Sequence, residues 1–249
     1  MSSPPPSTDE RLALRLRPPG LPTGYQEWRR LLFLHWPVAP EVLRPLVPSS
    51  LSLDLYASAA YVSLTPFFIQ AARPIGVPRC LGWAFLETNV RTYVHIQGRE
   101  PGVYFLSLHA ASLLATLGAR ASLGLPYEYA QGQERRSEAG VDYHLQRCAG
   151  RGPACRVRYQ PGELVGLAEP GTLDFFLIER YLLHVQRGPS LWTVQVHHQP
   201  YPLQQVRVLE LEDELVQADG LPRPTGTPLA HYSPGVDVEI FPPTVRLAV

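Results

Sequence analysis

The sequence predicts an α+β domain: a curved antiparallel sheet, either closed as a β-barrel or strongly bent, with two to three helices outside it. Three observations lead there. Several segments alternate apolar and polar residues with period two. Helical periodicity is confined to short stretches. The 27 prolines and 19 glycines mark frequent turns. A length of 249 residues with 45% hydrophobic content suits one large strand-rich domain.

Residues 1–24 read as a disordered or extended tail, because Pro4-Pro5-Pro6 and Pro18-Pro19-Gly20 oppose regular structure. Residues 25–249 then form a single barrel-like domain, with order beginning near Trp28. Arg29 to Trp36 is an apolar strand. Ala39 to Val47 is a short helix with Glu41 in its first turn and Pro48 after it. Leu51, Leu53 and Leu55 alternate with Ser52 and Asp54, and a second strand continues from Ala60.

Ala84 to Ile96 is the most informative strand. Ala84, Leu86, Thr88, Val90, Thr92, Val94 and Ile96 share one face; Phe85, Glu87, Asn89, Arg91, Tyr93 and His95 share the other. The turn Gly98 to Gly102 joins it to a strand at Val103 to Leu108. Ala110 to Leu123 is the best helix candidate, with Leu113, Leu114 and Leu117 as its apolar stripe and Leu125-Pro126-Tyr127 as its stop. Gly140 to Arg147 and Cys155 to Tyr159 pair around Ala149 to Pro153. Gly171 to Tyr181 is a second helix candidate capped by Thr172. Leu182 to Val185, Leu191 to His197 and Gln204 to Glu210 are further strands. The proline-rich end from Leu221 carries His231-Tyr232-Ser233-Pro234-Gly235 as an ordered turn.

Composition excludes some chemistry. All 22 basic residues are arginine. Without lysine, no side-chain amine can form an imine with a carbonyl substrate. The 22 acidic residues bring the formal charge to zero, which speaks against nucleic acid or an anionic membrane as partner. No run reaches the roughly 20 apolar residues of a bilayer span. The polar N-terminus has no signal segment, and Cys80, Cys148 and Cys155 form no disulfide framework, so a cytoplasmic location is expected. No Gly-rich phosphate loop follows a strand, and no cofactor is expected. Open strand edges leave homo-oligomerisation an option.

The polar face of the 84–96 strand is either solvated or the wall of a pocket. If enclosed, its charges need partners. Glu87 and Arg91 lie roughly 13 Å apart along one strand, too far for a tight pair. Arg91 then suits a carboxylate fork, Asn89 and Tyr93 suit substrate contacts, and Glu87 suits proton transfer if burial raises its pKa. His95 assists on the same face. His109, two residues after Ser107, is a catalytic candidate or a packing histidine. Arg180 ends the second helix and either forms a structural ion pair or lines the pocket. His197 and His198 face opposite sides of a strand, and no ligand spacing supports a metal.

The chain resembles the YqjF-like family, domain of unknown function 2071. The resemblance rests on Leu32-Phe33-Leu34-His35-Trp36, Glu87-Thr88-Asn89-Val90-Arg91-Thr92-Tyr93-Val94 and Gly102-Val103-Tyr104-Phe105-Leu106-Ser107-Leu108. Ala119-Arg120, Leu125-Pro126-Tyr127, Phe176 to Tyr181 and Val196-His197-His198 add to it. That family looks like a branch of the acetoacetate-decarboxylase-like group, which implies a curved barrel with Glu87 to His95 lining its interior. The imine lysine of acetoacetate decarboxylase has no counterpart here. The family more often has an aspartate near Ser107-Leu108-His109-Ala110, so this chain departs there as well. Three readings follow: a non-imine enzyme acting on a small carboxylate or carbonyl compound, a non-catalytic binding module for such a ligand, or a structural protein with none.

Overall fold

A computed structural model describes residues 4–148 and 152–247. The expected turn at Ala149 to Pro153 therefore lies partly outside the described residues, as do residues 1–3 of the expected tail.

The chain opens with a helix, not a tail. α1 (Thr8–Ala13) carries a full capping box, in which the Ser7 hydroxyl accepts from the Glu10 amide and the Glu10 carboxylate from the Ser7 amide. The prolines bracket this helix instead of preventing it. Arg11 fixes it to the body through two hydrogen bonds of 2.8 Å to Asp54. Replacing Ser7 by Ala should cost this helix about 1 kcal/mol. Faster hydrogen exchange at the Glu10 and Arg11 amides is the measurement.

β1 (Gly24–Val38) follows, then α2 (Pro40–Leu43), a 3₁₀ turn at Arg44–Leu46, the two-residue β2 (Ser52–Leu53) and β3 (Ala60–Pro74). β1 and β3 are each 15 residues long and each contains a bulge. Arg30 (φ 54°) and Ala71 (φ 51°) occupy the left-handed region at these irregularities. Bulges add twist and bend the strand, which curves the sheet here.

β4 (Trp83–Ile96) and β5 (Arg99–Ala110) form a hairpin. Its turn is only Gln97-Gly98, both with positive φ, which shortens the expected five-residue turn. α3 (Leu113–Leu123) comes next, capped by Ser112 and stopped by the left-handed Gly124. β6 (Tyr127–Ser137), β7 (Gly140–Arg147) and β8 (Ala154–Gly166) form a meander. α4 (Leu173–Ile178) is capped by Thr172 as the sequence predicts. β9 (Leu182–Arg187), β10 (Ser190–His197), β11 (Leu203–Asp213), α5 (Leu215–Ala218), β12 (Leu229–Ile240) and β13 (Thr244–Leu247) complete the chain. The expected turn at His231 to Gly235 is the middle of β12. It pairs with β1 across the β1 bulge, where Pro234 needs no ladder donor.

The fold is α+β, with a large, strongly bent sheet and a few outer helices. Thirteen strands run in the order β13-β10-β9-β5-β6-β7-β8-β11-β12-β1-β3-β4-β2. All pairings are antiparallel except β5 with β6 and β5 with β9. The barrel alternative is corrected. In a simple barrel every strand has two neighbours, whereas this sheet ends at β13 and β2 and branches within. β5 pairs with β4, β6 and β9, and β12 with β1, β11 and β10. The sheet folds over on itself without being one cylinder.

Two large cores result, one on each side of β4, with a smaller third cluster of Val47, Leu51, Val94 and Leu191. Leu31, Phe33, Phe67, Val103 and Phe176 belong to one; Leu32, Leu34, Val90, Tyr143 and Tyr159 belong to the other. β4 is therefore buried on both faces. The apolar stripe of α3 is misdirected by the sequence reading. Leu113, Leu114 and Leu117 are 54%, 61% and 54% exposed, and the helix packs through Ala115, Thr116, Ala119 and Leu123. No helix among the described residues is long and apolar enough to cross a membrane.

Candidate functional site

The polar face of β4 looks into a cavity of about 160 Å³. A dry protein cavity of about 150 Å³ accepts benzene, so this one suits a ligand of roughly six to nine non-hydrogen atoms. Its wall is mainly apolar, with contributions from Phe33, Phe67, Val103, Leu108 and, from α3, Ala119 and Leu123. Glu87, Asn89 and Arg91 enter it from β4, Thr65 from β3, Tyr127 from β6 and Arg180 from the turn after α4.

Glu87 has one side-chain hydrogen bond, accepted from the Tyr127 hydroxyl at 2.8 Å. Burial penalises its charged form and pushes its pKa up to about 8, while the Tyr127 bond pulls the other way. At neutral pH the carboxyl is mostly protonated and acts as a hydrogen-bond donor.

Arg91 lies at the other end of the row. Its guanidinium carbon stands 5.4 Å from the Phe33 ring centre and 6.0 Å from that of Tyr93. Nε and Nη2 are buried, and among the described residues neither bonds to anything and no carboxylate pairs with this arginine. Nε and Nη2 form one edge of the guanidinium, the edge that takes a carboxylate in a two-pronged bond.

Arg180 donates through Nε to the Phe176 carbonyl at 2.7 Å and through Nη1 to Asp54 at 2.6 Å, leaving Nη2 unpartnered. Burial brings its pKa down to about 10, with Asp54 opposing. Burial alone would raise the Asp54 carboxyl, but Arg180 and Arg11 override it and hold the pKa below the usual value. Asp54 is thus shared by two arginines, one from α1 and one on the cavity. With Glu87 neutral, the charges around the cavity leave a positive excess.

The remaining candidates stand elsewhere. Tyr93 lies beneath the arginines, its hydroxyl bonded with Ser63 (2.6 Å), His35 (3.1 Å) and the Leu177 carbonyl (3.0 Å). The structure does not bring His95 to the cavity. Its Nδ1 accepts from the Gly98 amide at 2.9 Å and closes the β4–β5 turn, and burial lowers its pKa. His109 points to the opposite side of the sheet. Register places Ala110 across from Glu87 and His109 across from Thr88. There Ser107 lies 2.9 Å from His109 Nε2 and donates to Asp219, and burial aided by Arg147 lowers the His109 pKa to about 3. Among the described residues no three metal-binding side chains cluster.

Three contributors escape a reading of the sequence. Thr65 interrupts the apolar run Leu64 to Phe68 and is the one visible hint. Tyr127 reads only as the end of a helix stop, and Asp54 only as the polar member of an alternating strand.

Comparison with known proteins adds the lineage. A family profile described as "Uncharacterized conserved protein", DUF2071, matches residues 25–237. The "Uncharacterized protein YqjF" of Bacillus subtilis (strain 168) is 38% identical over 226 residues, covering 90% of this chain and 93% of that one. Among solved structures, the enduracididine biosynthesis enzyme MppR complexed with pyruvate superposes with a TM-score of 0.62 at 15% identity, over 94% of this chain and 92% of that one. Acetoacetate decarboxylase from Legionella pneumophila gives 0.59 at 14%, over 92% and 91%. The structural matches establish a shared fold.

Proposed function

The chain belongs to the DUF2071 family of uncharacterised conserved proteins, and since membership brings no activity with it, we propose from the cavity itself that the protein binds a small carboxylate. Arg91 holds the ligand's charge, and the protonated Glu87 donates to one of its oxygens. Any reaction run here is acid-assisted and free of imine intermediates, because the sequence holds no lysine.

The observation that carries this reading is Arg91: a buried cation with two aligned free donors and no acidic partner among the described residues. An unpaired buried charge costs several kcal/mol in an empty site. A carboxylate ligand supplies the missing countercharge and both acceptors. Arg180 adds a third free donor, its Nη2. The likeness to MppR makes pyruvate, which that structure holds, a suitable first probe. Pyruvate has the size and charge this cavity asks for.

The test is calorimetric titration with pyruvate and other short monocarboxylates against their neutral amides. Saturable binding of the acids and none of the amides is expected. Equal binding of acids and amides, or no binding of any short acid, overturns the proposal.

A further inference from the structure

Thr65 and Asn89 face each other directly across the β3–β4 ladder, between the Glu87 row and the Arg91 row. Directly opposed side chains on one face stand about 5 Å apart at Cβ, close enough for a hydroxyl and an amide to bond. They do not. Thr65 Oγ1 and Asn89 Oδ1 are both buried, and neither has a partner among the described residues. Both residues line the cavity. A buried unpaired polar atom is destabilising, so two at neighbouring positions on one wall mark a place where a ligand group belongs.

The donor and acceptor inventory defines that group. Asn89 Oδ1 can only accept, so it needs a proton from the ligand. The Thr65 hydroxyl can donate to it. A keto oxygen accepts from Thr65 but leaves Asn89 unpaired. An ammonium serves Asn89 but brings a second positive charge beside Arg91. A hydroxyl donates to Asn89 and accepts from Thr65 at the same time. Asn89 and Arg91 are successive members of one strand face, so the group read by Asn89 sits next to the one held by Arg91.

We infer that Thr65 and Asn89 form a hydroxyl-reading subsite, and that the ligand is a small α-hydroxy acid. This rests on the carboxylate reading of Arg91 and specifies the neighbouring group. The apolar remainder of the wall takes a short hydrocarbon tail.

Propionate, pyruvate and the two enantiomers of lactate share one skeleton and differ only at the carbon in question. Titrated into the wild-type protein at neutral pH, one lactate enantiomer should bind about tenfold more tightly than propionate or pyruvate. Asn89→Leu should bring lactate to within about twofold of propionate measured on the same variant. Thr65→Val, which keeps the volume and removes the hydroxyl, should narrow the preference in the same direction. A wild-type near-ultraviolet circular dichroism spectrum reports that a variant is folded; if Asn89→Leu fails that check, Thr65→Val decides. Pyruvate equalling or exceeding lactate in the wild type overturns the inference, as does a lactate preference that survives the substitutions. If none of these acids binds the wild type, the carboxylate reading falls, and this inference with it.

Discussion

Carboxylate binding by the wild-type protein should weaken by about tenfold per pH unit above pH 8, and Glu87→Gln should remove that dependence. Below its pKa Glu87 is an uncharged donor in the cavity. Above it, the cavity holds a second carboxylate besides the ligand's, and two like charges in one enclosed space repel. Binding then requires uptake of one proton, which sets the slope. Glutamine has the same shape and stays neutral, and it can still accept from Tyr127. Titrations between pH 7 and 9, where Arg180 with its pKa of about 10 stays charged, are the measurement, and parallel curves for the two proteins would contradict the assignment.

The same residue makes a separate demand on stability. Its folded pKa of about 8 lies above the ordinary carboxyl value of 4.5. Between these values the folded protein holds a proton that the unfolded chain releases. Stability from this group is therefore full below about pH 4.5 and is lost as the pH rises to about 8. Glu87→Gln should match the wild type near pH 4.5 and exceed it by a few kcal/mol at pH 9, read from denaturant midpoints. The acids Asp213 and Asp219, both raised to about 6 by burial, contribute to the pH trend of both proteins and cancel in the comparison.

Arg91→Ala should lower carboxylate affinity by about 30-fold or more, since truncating one side of a buried charge pair costs about 2–5 kcal/mol. In the empty protein the sign reverses. Arg91 there is a cation with unused donors, so removing it should leave stability unchanged or higher. Arg91→Lys keeps the charge without the planar fork and should recover only part of the affinity. A ligand-free Arg91→Ala protein that unfolds markedly earlier than the wild type would mean the arginine supports the fold instead of the ligand.

The β4 strand was legible because every position from Phe85 to His95 obeys period two. Its surroundings were not. Both faces are buried, and only the strands packed on each side decide which face meets the cavity. His109 shows the limit well. Its side relative to Glu87 depends on the β4–β5 register, which no local pattern encodes. Thr65 becomes meaningful only as the partner of Asn89, and Tyr127 only when β6 brings it to Glu87. The leucines of α3 illustrate a different error: periodicity identifies a stripe without saying what it faces. α1 carries the Ser7 and Glu10 capping signature in its sequence, but the three consecutive prolines before it point toward an unstructured tail.

The arrangement around Asp54 bears on where this protein can be cut. The conserved profile starts at residue 25, yet Arg11 lies upstream of that point and holds the same carboxylate as the cavity's Arg180. A fragment trimmed to the profile would leave Asp54 to Arg180 alone. That pair would then be neutral, and the binding chamber would lose a unit of its positive excess. The boundary that homology draws and the boundary that electrostatics needs are different residues.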